Sequence, residues 1–379
     1  MRQESIGSAD PLVSLFLELA HIPSPPGQER DVNDFLITRL RGLGLDVTEG
    51  EPIREGKTGA GNLFCRIPGN APGIPILLSA HTDTVASEPD ALPDPVLEDG
   101  VLRSRSRAVL GADDKSAVAA IVYCAERIVK DDIPHADVEI MLSVGEESGL
   151  LGAKSWSLDG VGSRYGFCFD STGPVGNIIV RSPSQKTIKA LFKGKAAHAG
   201  VAPEEGRSAV AAACNAIAGM KLGRLDEETT ANIGLIRGGA AANVVPDRCR
   251  INGEVRSHDL DKLEEQVEAM IDSINMAAAG EEVDVELAVV EEFRAFDFSA
   301  GGPQLDMAEQ AVRDIGLEPL RGSTGGGSDV NVLNLLGLPC INMSTGMEKV
   351  HTPEEYITVE ALWQLHKLIL ALTAKALEA

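Results

Sequence analysis

The apolar positions of the chain follow two rhythms. Residues 10–20 and 29–41 are amphipathic with helical spacing, so each predicts a helix with one buried face. Asp10 reads as an N-cap with Pro11 at the first helical position, and Gly42 stops the second helix. Between the two, His21-Ile-Pro-Ser-Pro-Pro-Gly27 must break the helix. Short apolar runs at 45–48, 61–67, 76–81, 138–144, 165–169 and 338–343 read as strands, and a helix is predicted over 116–130. This alternation is that of an α/β domain with a mostly parallel sheet.

Between residues 184 and 292 the pattern changes. Residues 186–193 alternate as a half-exposed strand, and 205–220 form an Ala-rich helix. Strands follow at 231–237 and 248–256. Leu260, Leu263, Val267, Met270, Ile271 and Ile274 mark one face of a helix, and 283–290 closes as a strand. The order βαββαβ predicts a ferredoxin-like sandwich inserted into the larger domain, which comprises 1–183 and 293–379. Its sheet edges and small helices suit it to pair with a second copy.

Composition narrows the function classes. At 379 residues, with 44% hydrophobic and 24% charged, the chain has the make-up of a globular protein large enough for two domains. A formal net charge of -23 argues against nucleic acid or an anionic membrane as a partner. The six cysteines are scattered, without a C-x-x-C pair, and read as reduced thiols. The opening Met-Arg-Gln-Glu-Ser lacks the apolar core of a signal peptide, and no apolar run approaches the ~20 residues that span a bilayer. The expectation is a cytoplasmic enzyme.

Candidate chemistry collects at the ends of the predicted strands. Ile76-Leu-Leu-Ser-Ala-His81-Thr-Asp83 is an apolar run that ends in a histidine and an aspartate. In open α/β sheets, ligands bind beyond the carboxyl ends of strands. Gly111-Ala-Asp113-Asp114-Lys115 opens a helix with two adjacent carboxylates, more than capping requires. The 138–144 strand runs into Gly145-Glu146-Glu147-Ser-Gly149, and the 165–169 strand ends in Asp170. His351-Thr-Pro-Glu-Glu follows the last strand. Each of these has an ordinary explanation as a cap or a solvated loop. Clustered at one sheet edge, such carboxylates would repel one another unless cations lay between them.

Taken in order, His81-Thr-Asp83, Asp113-Asp-Lys115, Glu146-Glu147, Asp170, Ala197-His198-Ala-Gly200 and His351-Thr-Pro-Glu resemble the motif set of the co-catalytic dizinc peptidases. That family includes peptidase T, carboxypeptidase G, succinyl-diaminopimelate desuccinylase and the aminoacylases. The Gly-Ala-Asp-Asp-Lys form and Gly337-Leu-Pro-Cys340 are most similar to peptidase T. The resemblance implies two zinc ions per subunit, with Mn or Co also acceptable to so acid-rich a set. It implies His81, Asp113, Glu147, Asp170 and His351 as ligands, with Asp113 bridging and an Asp113–Asp114 cis peptide. It implies that Asp83 orients His81 and that Glu146 is the base activating a metal-bridging water.

The same resemblance implies that His198 reaches a neighbouring subunit's site in a homodimer formed through the inserted domain. Asn243 and Arg256 would hold a substrate carboxylate. The Gly-rich loop, Gly325, Gly326 and Gly327 within Ser323-Thr-Gly-Gly-Gly-Ser-Asp329, has backbone N–H groups able to cradle one as well. It lacks the Gly-Lys-Ser/Thr ending of a nucleotide P-loop, so ATP is not its ligand. The implied activity is a peptidase T-like tripeptide aminopeptidase acting on short peptides. The alternatives are a deacylase of N-acyl amino acids, or a non-catalytic binding protein retaining the fold.

Overall fold

A computed structural model describes residues 10–53, 58–87 and 91–378; the opening residues read for a signal peptide lie outside them. The chain divides into two compact units. The first is Met1–Val180, Asp297–Ser323 and Ser328–Ala379; the second is Arg181–Phe296 with Thr324–Gly327. The second unit is thus slightly longer than residues 184–292, and it includes the Gly-rich loop. The loop belongs there because Ser182 Oγ donates to the Gly326 carbonyl at 2.9 Å. In addition, a Cβ on Gly327 would meet the Phe293 ring at 2.3–2.5 Å, so only glycine fits that approach.

The first unit is built on a mixed sheet. In spatial order its strands are Val47–Glu49, Leu63–Ile67, Val138–Ser143, Ile76–His81, Tyr165–Ser171, Cys340–Ser344 and Asn177–Ser182, with short strands beyond. The four central strands, from Val138–Ser143 to Cys340–Ser344, run parallel, so their carboxyl ends share one edge. Every position of Ile76–His81 and Val138–Ser143 is buried, as expected where helices cover both faces. The helix Pro11–Ala20 begins as predicted, with Asp10 accepting from the Leu12 and Val13 amides at 3.1 and 3.2 Å. The sheet of Pro95–Glu98, Val101–Ser104 and Tyr356–Thr358 and the helices Pro303–Asp314 and Val359–Glu378 complete the unit. No helix among the described residues is long and apolar enough to cross a membrane.

One deviation from the predicted elements prepares the site. The helix predicted from 116 starts at Ala112, but Asp113 and Asp114 have non-helical backbone angles. Its N-cap is Gly111, left-handed at φ 75°, which makes no side-chain cap bond. The paired aspartates therefore do not cap this helix, and their side chains serve elsewhere.

The second unit carries a five-stranded antiparallel sheet. Its order is Gly223–Arg224, Thr229–Gly238, Arg248–Ser257, Ser184–Lys193, Asp284–Phe293. Apart from the short first strand, this is the ferredoxin-like order. Helices Ala209–Gly219 and Leu260–Gly280 share a core with Ile188, Phe192, Ile251 and Val255. The first helix starts later than 205 because Ser208 caps it, accepting from the Ala211 amide at 3.1 Å.

A stability prediction arises in the first unit's helix layer. His366 is 2% exposed and packs its ring 4.8 Å from Tyr123 and 5.6 Å from Trp363. Burial lowers its pKa from 6.5 to about 4. The unfolded chain therefore takes up this proton first as pH falls. The His366 contribution is complete above about pH 6.5 and is lost towards pH 4, an effect of roughly 3 kcal/mol. Denaturant titrations from pH 7 to 4 should show a shallower fall in stability for His366→Phe than for the native chain. Parallel curves would contradict this.

Candidate metal centre

His81, Asp113, Glu146, Glu147, Asp170 and His351 come together at the carboxyl edge of the first unit's sheet, delivered by separate strand ends and turns except for Glu146 and Glu147, which share one turn. His81 ends its strand 2% exposed. Its Nε2 lies 3.0 Å from Asp113 Oδ1 and 3.8 Å from Asp170 Oδ1. The second oxygen of Asp113 lies 3.1 Å from His351 Nε2, which is also 3.0 Å from Glu147 Oε1. Asp113 thus presents one oxygen to each histidine. The peptide joining it to Asp114 is cis.

The donor set fits a pair of metal ions. Ligand atoms of His81, Asp113 and Glu147 lie within 4.8 Å of one another, and so do those of His81, Asp114 and Asp170. Ligands arranged tetrahedrally 2.0–2.1 Å from zinc sit about 3.3 Å apart, between the 3.0 and 3.8 Å separations observed. Glu147 Oε1 is buried without a hydrogen bond of proper geometry, although His351 is close. That arrangement suits two groups facing a common ion. Asp114 is placed differently: its Oδ2 accepts the His81 amide at 3.2 Å, which ties it to the backbone.

Electrostatics make the same point. Burial raises the pKa of Glu146 and Asp170 well above the carboxylate range, and neighbouring carboxylates add to it, Asp170 acting on Glu146 and Asp113 on Asp170. Burial would raise Asp113 too, but bonds from His351 and His81 outweigh it and hold this group low. The bond to Asp113 and the nearby Glu147 carboxylate lift His351 to about 10. For His81, burial is overcome by Asp113 and Asp83, and its pKa rises well above 6.5. Both histidine shifts have one cause, the carboxylates beside them, which favour a positive charge at this place.

A further layer of buried side chains holds the backbone of these turns. Asp83 was expected to orient His81. Its carbonyl accepts from His81 Nδ1 at 2.9 Å, while its carboxylate is 3.5 Å from that nitrogen. The carboxylate instead accepts the amides of Glu146 and Glu147 at 3.0 and 3.1 Å. Glu355 is 1% exposed and accepts the Gly111 and Asp113 amides at 2.7 and 2.9 Å. Burial raises its pKa to about 7. Asp329, also buried, accepts from Ser143 Oγ, and burial raises it to about 6.

Asn342 grips Asp170 from both sides. Its Oδ1 accepts the Asp170 amide at 2.9 Å and its Nδ2 donates to the Asp170 carbonyl at 2.7 Å. The parallel ladder slips between Asn342 and Ser344, and the side chain supplies bonds there. Sequence reading missed Glu355, Asp329 and Asn342. A polar Asn inside the apolar 338–343 run was the one available signal.

The remaining predicted residues lie in the second unit. His198 is exposed, with its Nδ1 accepting from the Gly200 amide at 3.1 Å. The neighbouring Ala199 amide donates to the Asn243 carbonyl at 2.9 Å, which brings these two segments side by side. Arg256 engages the Glu254 carboxylate through Nε and Nη2, both at 3.1 Å, and the Gly325 carbonyl through Nη1 at 3.1 Å. The Gly326 amide donates to Thr324 Oγ1 at 3.0 Å, so that N–H is already engaged within the loop.

Comparison with known proteins places this architecture. Residues 184–281 match the M20 peptidase dimerisation domain, and 62–211 match peptidase family M28. The chain is 38% identical over 367 residues to the uncharacterized protein YqjE of Bacillus subtilis, covering 96% of this chain and 98% of that one. The crystal structure of aminopeptidase PepT from Bacillus cereus is 37% identical, with a TM-score of 0.87 over 98% of this chain and all of that one, 100%. A tripeptidase from Staphylococcus aureus is 34% identical, with a TM-score of 0.91 over 99% of this chain and 100% of its own.

The chain belongs to the M20 peptidase family. It is a metallopeptidase of mixed α/β architecture carrying that family's dimerisation domain. Within an M20 peptidase, the acid-rich sheet edge is the candidate metal-binding cluster.

Proposed function

We propose that this enzyme is a two-zinc aminopeptidase that removes the N-terminal residue of tripeptides in the cytoplasm. The observation that carries this reading is Asp113, whose two oxygens face His81 and His351 separately. The similarity to a PepT aminopeptidase and a tripeptidase supports the substrate class. His81, Asp113 and Asp170 would hold one ion, and Asp113, Glu147 and His351 the other. The two cations, when bound, polarise the scissile carbonyl and acidify water. Glu146 takes the proton from the attacking water and returns it to the leaving amine. Asp83 fixes Glu146 and Glu147 through their amides and His81 through its own carbonyl.

The similarity to a PepT aminopeptidase and a tripeptidase favours a free peptide over an N-acyl amino acid. The test is direct. The zinc-loaded and the chelated protein should be offered Leu-Gly-Gly and N-acetyl-leucine, and the products identified by mass. Metal-dependent release of leucine from the tripeptide alone is expected. Faster cleavage of N-acetyl-leucine would select the deacylase reading, and cleavage of neither would select a binding protein.

The grip of Asn342 on Asp170 makes a prediction for the metals. Asn342→Leu removes both bonds to the Asp170 backbone. One of the two ions should then bind about 10–100-fold more weakly, while the other is kept. Competition with a chromogenic chelator measures both. Unchanged affinity for both ions would mean that Asp170 is not a ligand or needs no such support.

His198 and the dimer complete the reading. The second unit pairs with a partner copy across a two-fold axis, and His198 donates to the oxyanion at the partner's centre. Its exposure and the match to a dimerisation domain support this role. Asn243 and Arg256 hold the substrate's carboxylate, Arg256 by exchanging Glu254 for it, and the loop at Gly325, Gly326 and Gly327 borders the same group. Loss of one oxyanion donor costs ~10²–10³ in turnover, so His198→Ala should bind metal normally and catalyse poorly. Chains carrying His198→Ala and chains carrying Glu146→Gln should regain activity on mixing, because one hybrid site unites both intact residues. Demonstrated subunit exchange without recovery would refute the donation in trans.

A further inference from the structure

We infer that a cavity in the first unit, next to Glu147, is the subsite for the side chain of the substrate's N-terminal residue. It selects aliphatic and aromatic side chains over charged ones. The inference rests on the aminopeptidase reading and adds a specificity to it. The cavity measures about 630 Å³, within the range of small-molecule sites. Glu147 and Gly111 belong both to its wall and to the turns of the metal centre. A residue spans only about 3.8 Å between successive Cα atoms. The side chain on the Cα bonded to the scissile carbonyl therefore has this cavity within reach.

The chemistry of the wall decides what enters. Pro25, Val85, Val109 and Leu110 give it apolar surface. Its polar groups are largely committed to the chain itself. Ser24 Oγ donates to the Thr82 carbonyl at 2.8 Å, and Ser87 Oγ accepts the Val109 amide at 3.1 Å. Lys115, 2% exposed, donates to the Ile22 carbonyl at 2.5 Å. Glu147 faces His351 and the metal centre. A charged side chain would lose its water here without gaining a dedicated partner, whereas an apolar one loses nothing by leaving water. The C-terminal part of a tripeptide is a poorer occupant, since its carboxylate would approach Glu147 while the ammonium of Lys115 is engaged.

Steady-state kinetics on the zinc-loaded native chain test this with Gly-Gly-Gly, Leu-Gly-Gly, Phe-Gly-Gly, Asp-Gly-Gly, Lys-Gly-Gly and Gly-Leu-Gly. The leucyl and phenylalanyl peptides should exceed Gly-Gly-Gly in kcat/KM by roughly 10–100-fold. The aspartyl and lysyl peptides should not exceed it. Two exposed wall residues provide variants that leave the core alone, Ala86→Trp to occupy the space and Leu92→Asp to charge its wall. Ala86→Trp should bring the Leu-Gly-Gly to Gly-Gly-Gly ratio close to one, and Leu92→Asp should lower it several-fold. A gain for Gly-Leu-Gly instead of Leu-Gly-Gly would overturn the assignment, and so would a ratio that neither variant changes. Cleavage of Gly-Gly-Gly without any first-residue preference removes the subsite and leaves the aminopeptidase. Failure to cleave every peptide of the set removes both.

Discussion

Glu146→Gln should leave metal binding intact and lower turnover of a tripeptide by about 10²–10⁴-fold. The amide is nearly the same size as the carboxylate but cannot accept the proton of the attacking water. The backbone of Glu146 is held independently of its side chain, because its amide donates to Asp83 Oδ1 at 3.0 Å. The substitution therefore removes a proton acceptor without releasing the turn. Glu147→Gln is the matched control. That residue sits 3.0 Å from His351 and is a proposed ligand, so its loss should weaken one ion. Metal analysis beside kcat separates the two. The reverse pattern, with Glu146→Gln losing metal and Glu147→Gln keeping it, would exchange their roles.

Asp113→Ala should weaken both metal ions together and abolish hydrolysis. Among the described residues, Asp113 is the one side chain that meets both histidines, at 3.0 Å from His81 and 3.1 Å from His351. Its removal also leaves the two imidazoles without the carboxylate that favours their charged forms. The turn itself should persist, since Glu355 holds the Gly111 and Asp113 amides through the main chain. Calorimetric titration with zinc should show weakened binding at both sites, with the circular dichroism spectrum unchanged. Retention of one tight site would mean that Asp113 serves a single ion.

The proposed ligands were legible in the sequence because they break a pattern. A strand buried on both faces is an almost continuous apolar run, and a histidine or carboxylate where Ile76–His81 or Tyr165–Ser171 ends stands out against it. The parallel sheet then brings those ends together. The inserted unit was legible for a related reason: its alternating strands are exposed on one face, unlike the others. What stayed hidden was the support. Glu355 lies far along the chain from the Gly111 amide it accepts, and no residue type marks a main-chain N–H as a partner. The resemblance implied that Asp83 orients His81, and its carbonyl does accept from His81 Nδ1, but nothing in the sequence marked its carboxylate as the acceptor for the Glu146 and Glu147 amides. The strands Pro95–Glu98 and Val101–Ser104 are too short, and too interrupted by polar residues, to leave a periodic trace.

The two-metal aminopeptidase is tested most directly by metal titration of the chelated protein with tripeptide hydrolysis followed in parallel. The account predicts no activity at the start and a rise that ends at two equivalents of zinc per chain, with the N-terminal amino acid as the first product. Full activity in the chelated protein, saturation at one equivalent, or release of the C-terminal residue first would contradict it.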